Sequence, residues 1–219
     1  MAMCAGLLMV GCERDDNGGD NSNADWVDLG LSSGLLWCTH NVGATNPEDY
    51  GDYFAWGETT NKSTYDWSTY AYGNSRSQLT KYCSNARFGL DGFTDNLTTL
   101  EPGDDAATAN MGSGARTPTL GEWNELLSNT TVEGTTLNGV NGLRLTSTTN
   151  GNSIFLPTAG VRYDSVFSYA GSDGNYWSSS LSTDSPNDAS LFLFTPGNLS
   201  MDYNRRCIGQ SVRAVRSAQ

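Results

Sequence analysis

The sequence predicts an α+β fold: short helices and a small, mostly antiparallel twisted sheet, joined by many loops. Three observations predict it. A capping signal opens an amphipathic run at residues 120–128, short strand-like segments follow it as far as residue 216, and turn formers punctuate the whole chain, with 25 glycines among 219 residues. Helical segments leading into a run of strands is α+β order.

The chain opens on a short apolar run ending in Gly11-Cys12. It resembles the lipobox of a bacterial lipoprotein signal peptide, in which the cysteine is acylated and becomes the first mature residue. On that reading residues 1–11 are the signal peptide and Cys12 carries the anchor, since two or three acyl chains hold a protein durably on a bilayer. No Lys or Arg precedes the run, as a start codon assigned too far downstream would leave it. Residues 12–25 hold no apolar side chain before Ala24, and so polar a segment forms an acidic flexible tether. Acids directly after the cysteine also resemble the surface-export signal of Bacteroidetes lipoproteins, which implies the outer membrane and an outward-facing domain.

From residue 26 to 219 we expect one domain. Trp26 to Leu29 and Gly34 to Cys38 read as strands, and Asn46-Pro47-Glu48-Asp49-Tyr50 reads as a capped helix start. Residues 58–99, rich in Thr, Ser, Asn and Tyr without periodicity, read as a long, partly ordered insertion. Thr119 and Glu122 form a capping box, and Leu120, Trp123, Leu126 and Leu127 recur at helical spacing. Strands are then expected at 142–147, 154–156, 161–163, 176–179, 190–194, 199–203 and 211–216. Asn150-Gly151 and Pro196-Gly197 supply turns. Segment 190–194 should pair with 199–203, and 211–216 should close their sheet.

Charge and cysteine usage narrow the function. With 24 acidic and 12 basic side chains the net charge is −12, which excludes a dedicated nucleic-acid binder, because phosphate neutralisation needs a basic face. No run of about 20 apolar residues exists to span a bilayer. Cys38, Cys83 and Cys207 are far apart in sequence and allow at most one internal bridge, or none if they are simply buried small hydrophobes.

A set of motifs carries a resemblance. Gly34-Leu35-Leu36-Trp37, the segment from Tyr50 to Thr59, Asp104-Asp105-Ala106-Ala107, Arg116-x-Pro118-Thr119, Ile154-Phe155-Leu156-Pro157-x-Ala159-Gly160, Tyr176-Trp177-Ser178-Ser179-Ser180 and Gly209-x-Ser211-Val212-Arg213-x-Val215 together resemble the Fibrobacter succinogenes major paralogous domain. That family is similar to the formylglycine-generating-enzyme branch of the C-type lectin fold, and the match runs over residues 26–216. The resemblance implies a C-type lectin-like fold with a C-terminal ligand face at about 176–216.

The same segments are also similar to target proteins of diversity-generating retroelements, in which a C-terminal stretch is mutagenised at adenines. Carried over, the fixed scaffold would be Tyr176, Trp177, Ser178, Arg206, Gly209, Ser211, Val212 and Arg213. The ligand-binding positions would be Asp184, Asn187, Asp188, Ser190, Leu191, Asn198, Ser200, Asp202, Tyr203, Asn204, Arg205 and Ile208. Small polar and Tyr side chains suit an adaptable paratope. The expected partner is a protein or glycan at the cell surface; a fixed adhesin or glycan-binding accessory protein is the alternative.

Enzyme readings fare worse. The related oxidases require two nearby C-terminal cysteines for copper, and here Cys207 stands alone; His40 is the single histidine, too few for an imidazole metal site. Lys62 and Lys81, in the polar insertion, are expected to be solvated, which leaves no Ser-Lys pair. Carboxylate pairs for glycoside hydrolysis would arise by chance among 24 acids. The Glu-Pro-Asn and Trp-Asn-Asp signatures of calcium-dependent sugar binding are absent. No catalytic residue, metal ligand or cofactor is assigned. Trp56, Tyr65, Trp67, Tyr70 and Tyr72 remain as stacking platforms, and Arg205, Arg206, Arg213 and Arg216 are expected to pair with Asp104, Asp105 or Asp202.

Overall fold

The structure is a computed structural model that describes residues 25–112 and 114–218. The expected signal peptide, the expected acylation site at Cys12 and the expected tether up to Ala24 lie outside the described residues. No described helix is long and apolar enough to cross a membrane.

The fold is α+β, with strands dominant. Among the described residues, three three-stranded antiparallel sheets and one two-stranded hairpin replace the single sheet expected. The first orders β1 (Trp26–Asp28), β2 (Leu35–Asn41) and β11 (Arg213–Ser217), so the first and last described strands flank β2. The second orders β3 (Thr130–Leu137), β4 (Val140–Ser147) and β5 (Ser153–Pro157). The third orders β10 (Asn198–Arg205), β9 (Asp188–Thr195) and β8 (Gly174–Leu181), beside a hairpin of β6 (Val161–Tyr163) and β7 (Val166–Ser168). Leu199 faces Phe194 and Tyr203 faces Ser190, the pairing expected for 190–194 with 199–203. Segment 211–216 does not close that sheet. Ser211 bridges Tyr176, and from Arg213 onward the strand joins β2.

Two α-helices occur among the described residues. α1 (Ala106–Met111) is capped by Asp105, and α2 (Leu120–Ser128) carries the full Thr119/Glu122 capping box. Trp123 and Leu126 on the buried face of α2 meet Trp37, Leu145, Tyr176, Phe192 and Phe194 in the main core. The short helix expected to start at Asn46 is a turn instead. There Asp49 accepts hydrogen bonds from both the backbone N–H and the side-chain amide of Asn46, so the acid caps the turn rather than the asparagine capping a helix.

Residues 58–99 are not a partly ordered insertion. Tyr65, Tyr70, Leu79, Tyr82 and Cys83 are buried, donated singly from irregular chain that carries no period to read. Their hydroxyls are satisfied internally: Tyr70 Oη donates to Trp56 O at 2.7 Å and Tyr82 Oη to Asp104 Oδ2 at 2.6 Å. The two lysines are engaged as well. Lys62 binds Glu58, and Lys81 bridges Glu101 and Asp104.

Candidate functional site

β9 and β10 form a ribbon turned by Pro196-Gly197, with Gly197 at φ +88°, a conformation that costs glycine little. β10 ends its sheet, so no described strand pairs its outer backbone edge, while Met201 packs against the main core. Alternation puts Leu199, Met201, Tyr203 and Arg205 on one face, and Asn198, Ser200, Asp202 and Asn204 on the other. Tyr203 is 55% exposed, and Asp184, Asn198, Asp202 and Arg205 are exposed too. Asp188, Ser200 and Asn204 are half-buried.

Four of the expected ligand positions are interior. Asn187, Ser190, Leu191 and Ile208 are each at most 2% exposed. β9 is the central strand, flanked by β8 and β10 and covered on both faces. Leu191 packs with Trp177 and Val212, and Phe192 with Trp123. Ile208 fills a cluster with Tyr53, Tyr65 and Tyr70. Between β8 and β9, Leu181, Ser182, Pro186 and Asn187 are buried around the exposed Thr183 and Asp184. Burial pushes the Asp188 carboxyl above its usual range, with Arg76, Arg205 and the Asn187 amide offsetting only part of the shift.

All eight scaffold positions are buried: Tyr176, Trp177, Ser178, Arg206, Gly209, Ser211, Val212 and Arg213. For Arg206 and Arg213 the expected pairing with acids does not occur among the described residues. Arg206 donates to Tyr70 Oη at 2.8 Å, to Tyr82 O and Pro186 O at 2.9 Å and to Lys81 O at 3.0 Å. Arg213 donates to Asn41 Oδ1, Cys38 O, Thr39 O and Phe155 O. Carbonyls spread over the guanidinium fork substitute for a carboxylate, and the two side chains tie together segments far apart in sequence. Burial alone holds Arg213 below its ordinary pKa. Arg205 reaches Tyr163 Oη at 3.4 Å, and Arg216 lies over the Trp26 ring at 4.5 Å.

That Arg205–Tyr163 contact joins the ribbon to a surface the sequence reading passed over. The β6–β7 hairpin exposes Tyr163, Val166 and Phe167, and Tyr169 follows at 64% exposure. Arg162 holds the hairpin down, with its guanidinium 4.5 Å from the Phe167 ring centre and 5.3 Å from that of Tyr53. The signal was present as a turn pair, Asp164-Ser165, between Val161-Arg162-Tyr163 and Val166-Phe167-Ser168, triplets with β-forming Val, Tyr and Phe. Of the proposed stacking platforms, Trp56, Tyr65 and Tyr70 are core residues, while Trp67 and Tyr72 are half-buried.

Cys38, Cys83 and Cys207 are buried and free, so no bridge forms among them. Burial pushes the Cys207 thiol up to about 12, which suppresses its thiolate. Among the described residues, no three His, Cys, Asp or Glu side chains come together as a metal-holding group.

Fold and face together define a class: a strand-rich α+β domain presenting an exposed edge ribbon and an aromatic hairpin on a fully packed base. No family model, curated protein or solved structure matches the chain in comparisons against each.

Proposed function

We propose that this chain is a surface-anchored binding lipoprotein with a C-type lectin-like domain, acylated at Cys12, that engages a protein or glycan through β10 and the adjoining β6–β7 hairpin. One observation carries the reading: every expected scaffold position is buried, whereas eight of the twelve expected ligand positions are exposed or half-buried. All eight scaffold residues are interior, whereas Asp184, Asn198, Asp202, Tyr203 and Arg205 are exposed on or beside one edge ribbon. An edge strand tolerates side-chain change because its outward residues contribute contacts to solvent rather than to the core. The same partition would suit a diversified target protein, in which repeated substitution must leave the fold intact.

Glycan and protein arrays probed with the domain test the ligand class. Combined substitution of Asp184, Asp202, Tyr203 and Arg205 should abolish any interaction found, and an interaction that survives it would place the site elsewhere. Cys12→Ser should release the protein from the membrane fraction. An imperfect repeat of codons 176–216 beside a reverse-transcriptase gene would mark the face as diversified; without one, the fixed adhesin remains.

A further inference from the structure

Three Asn-Gly pairs fall among the described residues: Asn138-Gly139, Asn141-Gly142 and Asn150-Gly151. In such a pair the glycine nitrogen can attack the side-chain amide before it, because no Cβ blocks the approach. The fold treats the three nitrogens differently. Gly151 N donates to Ser147 O at 3.1 Å. Gly142 is buried inside β4, opposite Thr135 on one side and Pro157 on the other. Leu137 and Val140 close that hairpin, so alternation along the ladder directs the Gly142 N–H to Thr135 O. Gly139 sits exposed at the hairpin tip, and its N–H meets no acceptor among the described residues.

The side-chain amides differ as well. Asn150 donates to Asp28 O and accepts from Asn152 N, while Asn141 donates to Gly171 O and accepts from Thr136 Oγ1. Asn138 makes a single contact, from Nδ2 to Glu48 Oε1 at 2.6 Å, and it lies at the surface. Reaction at Asn141 or Asn150 must wait for a backbone hydrogen bond to open, whereas the tip needs only a rearrangement of two exposed residues.

We propose that Asn138 is a self-modifying site, at which deamidation through Gly139 frees the tip of the β3–β4 hairpin from the turn holding Glu48. Gly139 N bonds to Asn138 Cγ as the Cγ–Nδ2 bond breaks, and Nδ2 leaves as ammonia with the proton that Gly139 N gives up. Water then opens the cyclic succinimide at either carbonyl, so asparagine and water become aspartate or isoaspartate and ammonia. The donor to Glu48 is lost, and a carboxylate takes its place facing Glu48 with Asp49 next along the chain. Isoaspartate also lengthens the main chain of a two-residue turn, whose φ values of +48° at Asn138 and +85° at Gly139 suit the twist of its strands. The site is separate from the binding face proposed above, since neither residue lies in β10 or in the β6–β7 hairpin.

The test follows the full chain in mildly alkaline buffer, native and in urea, by peptide mapping, where exchange of NH2 for OH adds about one mass unit. An isoaspartyl methyltransferase labels the second product. In the native protein Asn138 should convert about tenfold or more faster than Asn141 and Asn150. In urea, without the hydrogen bonds that distinguish them, the three should convert at similar rates. Equal native rates at the three sites, or a native Asn138 that reacts about tenfold more slowly than in urea, would overturn the proposal. Asn138→Asp should speed hydrogen exchange across residues 46–50, and adding Glu48→Gln should restore it by returning a donor to the contact. Exchange left unchanged by Asn138→Asp would overturn the release of the tip.

Discussion

The guanidinium carbon of Arg206 lies 5.1 Å from the centre of the Trp56 ring, while its Nε donates to the Tyr70 hydroxyl 2.8 Å away. Tyr82 closes the cage from a third side at 5.8 Å. A buried cation is held here by aromatic faces and backbone carbonyls. Arg206→Lys keeps the charge but cannot reach four acceptors from one ammonium. The substitution should cost about 3 kcal/mol, from acceptors left dry and a charge left under-solvated. Urea unfolding of the two proteins measures it, and a difference within experimental scatter would show the fork to be dispensable.

Acid should unfold the protein through Asp104 and Glu122. Burial works against ionisation at Asp104, but hydrogen bonds from Lys81, Tyr82 and Tyr72 outweigh it and hold the carboxyl below its usual range. At Glu122 burial is likewise outweighed, by Arg116 and the Thr119 N–H. A carboxyl whose folded pKa lies below its unfolded value, about 4, stabilises the fold fully above that value. The contribution disappears as pH falls through the folded pKa. Melting temperature should therefore drop below about pH 4, and Asp104→Asn should start lower at neutral pH and lose less on acidification. A parallel drop in both proteins would remove Asp104 from the account.

Thr119→Ala removes the side-chain oxygen that accepts from the Glu122 N–H at 3.2 Å. The cost should be about 1 kcal/mol, the usual value of a lost N-cap. Since α2 carries Trp123 into the main core, the loss should register in global unfolding rather than as local fraying of the helix. Circular dichroism and tryptophan fluorescence followed together would reveal the difference, by coinciding or separating.

Cys38, Cys83 and Cys207 should resist thiol reagents in the native protein and react on denaturation, with labelled sites mapped by mass spectrometry. Reductant should leave the melting temperature unchanged. A reductant-sensitive melt would contradict three free thiols.

Tyr203→Ala and Tyr176→Ala offer a direct contrast within one terminal segment. Tyr203 projects from the edge, so its loss should change stability by no more than about 0.5 kcal/mol. Tyr176 is fully buried, stacks near Phe194 and donates to Pro157 O at 2.7 Å; its removal should cost about 3–5 kcal/mol. Similar costs for both would erase the division between base and face.

Local chemistry was legible without coordinates wherever neighbours in sequence decide the outcome. The Thr119/Glu122 box, the α2 span and the Pro196-Gly197 hairpin all follow from interactions within a few residues, and the pairing of 190–194 with 199–203 follows from that turn. Burial of Tyr176, Trp177, Arg206 and Arg213 also agrees with the scaffold role the motif resemblance implies, while the acid partners expected for Arg206 and Arg213 are replaced by carbonyl, hydroxyl and amide oxygens.

What only the tertiary structure decided is which strand becomes central. Nothing within residues 188–195 says that β9 has neighbours on both sides, because that depends on β8 arriving from residue 174 and on α2 covering one face. Central placement turned Ser190 and Leu191 inward, and the same long-range packing enclosed Asn187 and Ile208. The 58–99 segment yielded least to sequence reading for a related reason: its tyrosines are buried by contact with Trp56, Asp104 and Arg206, distant groups whose attraction leaves no period in the chain that supplies them.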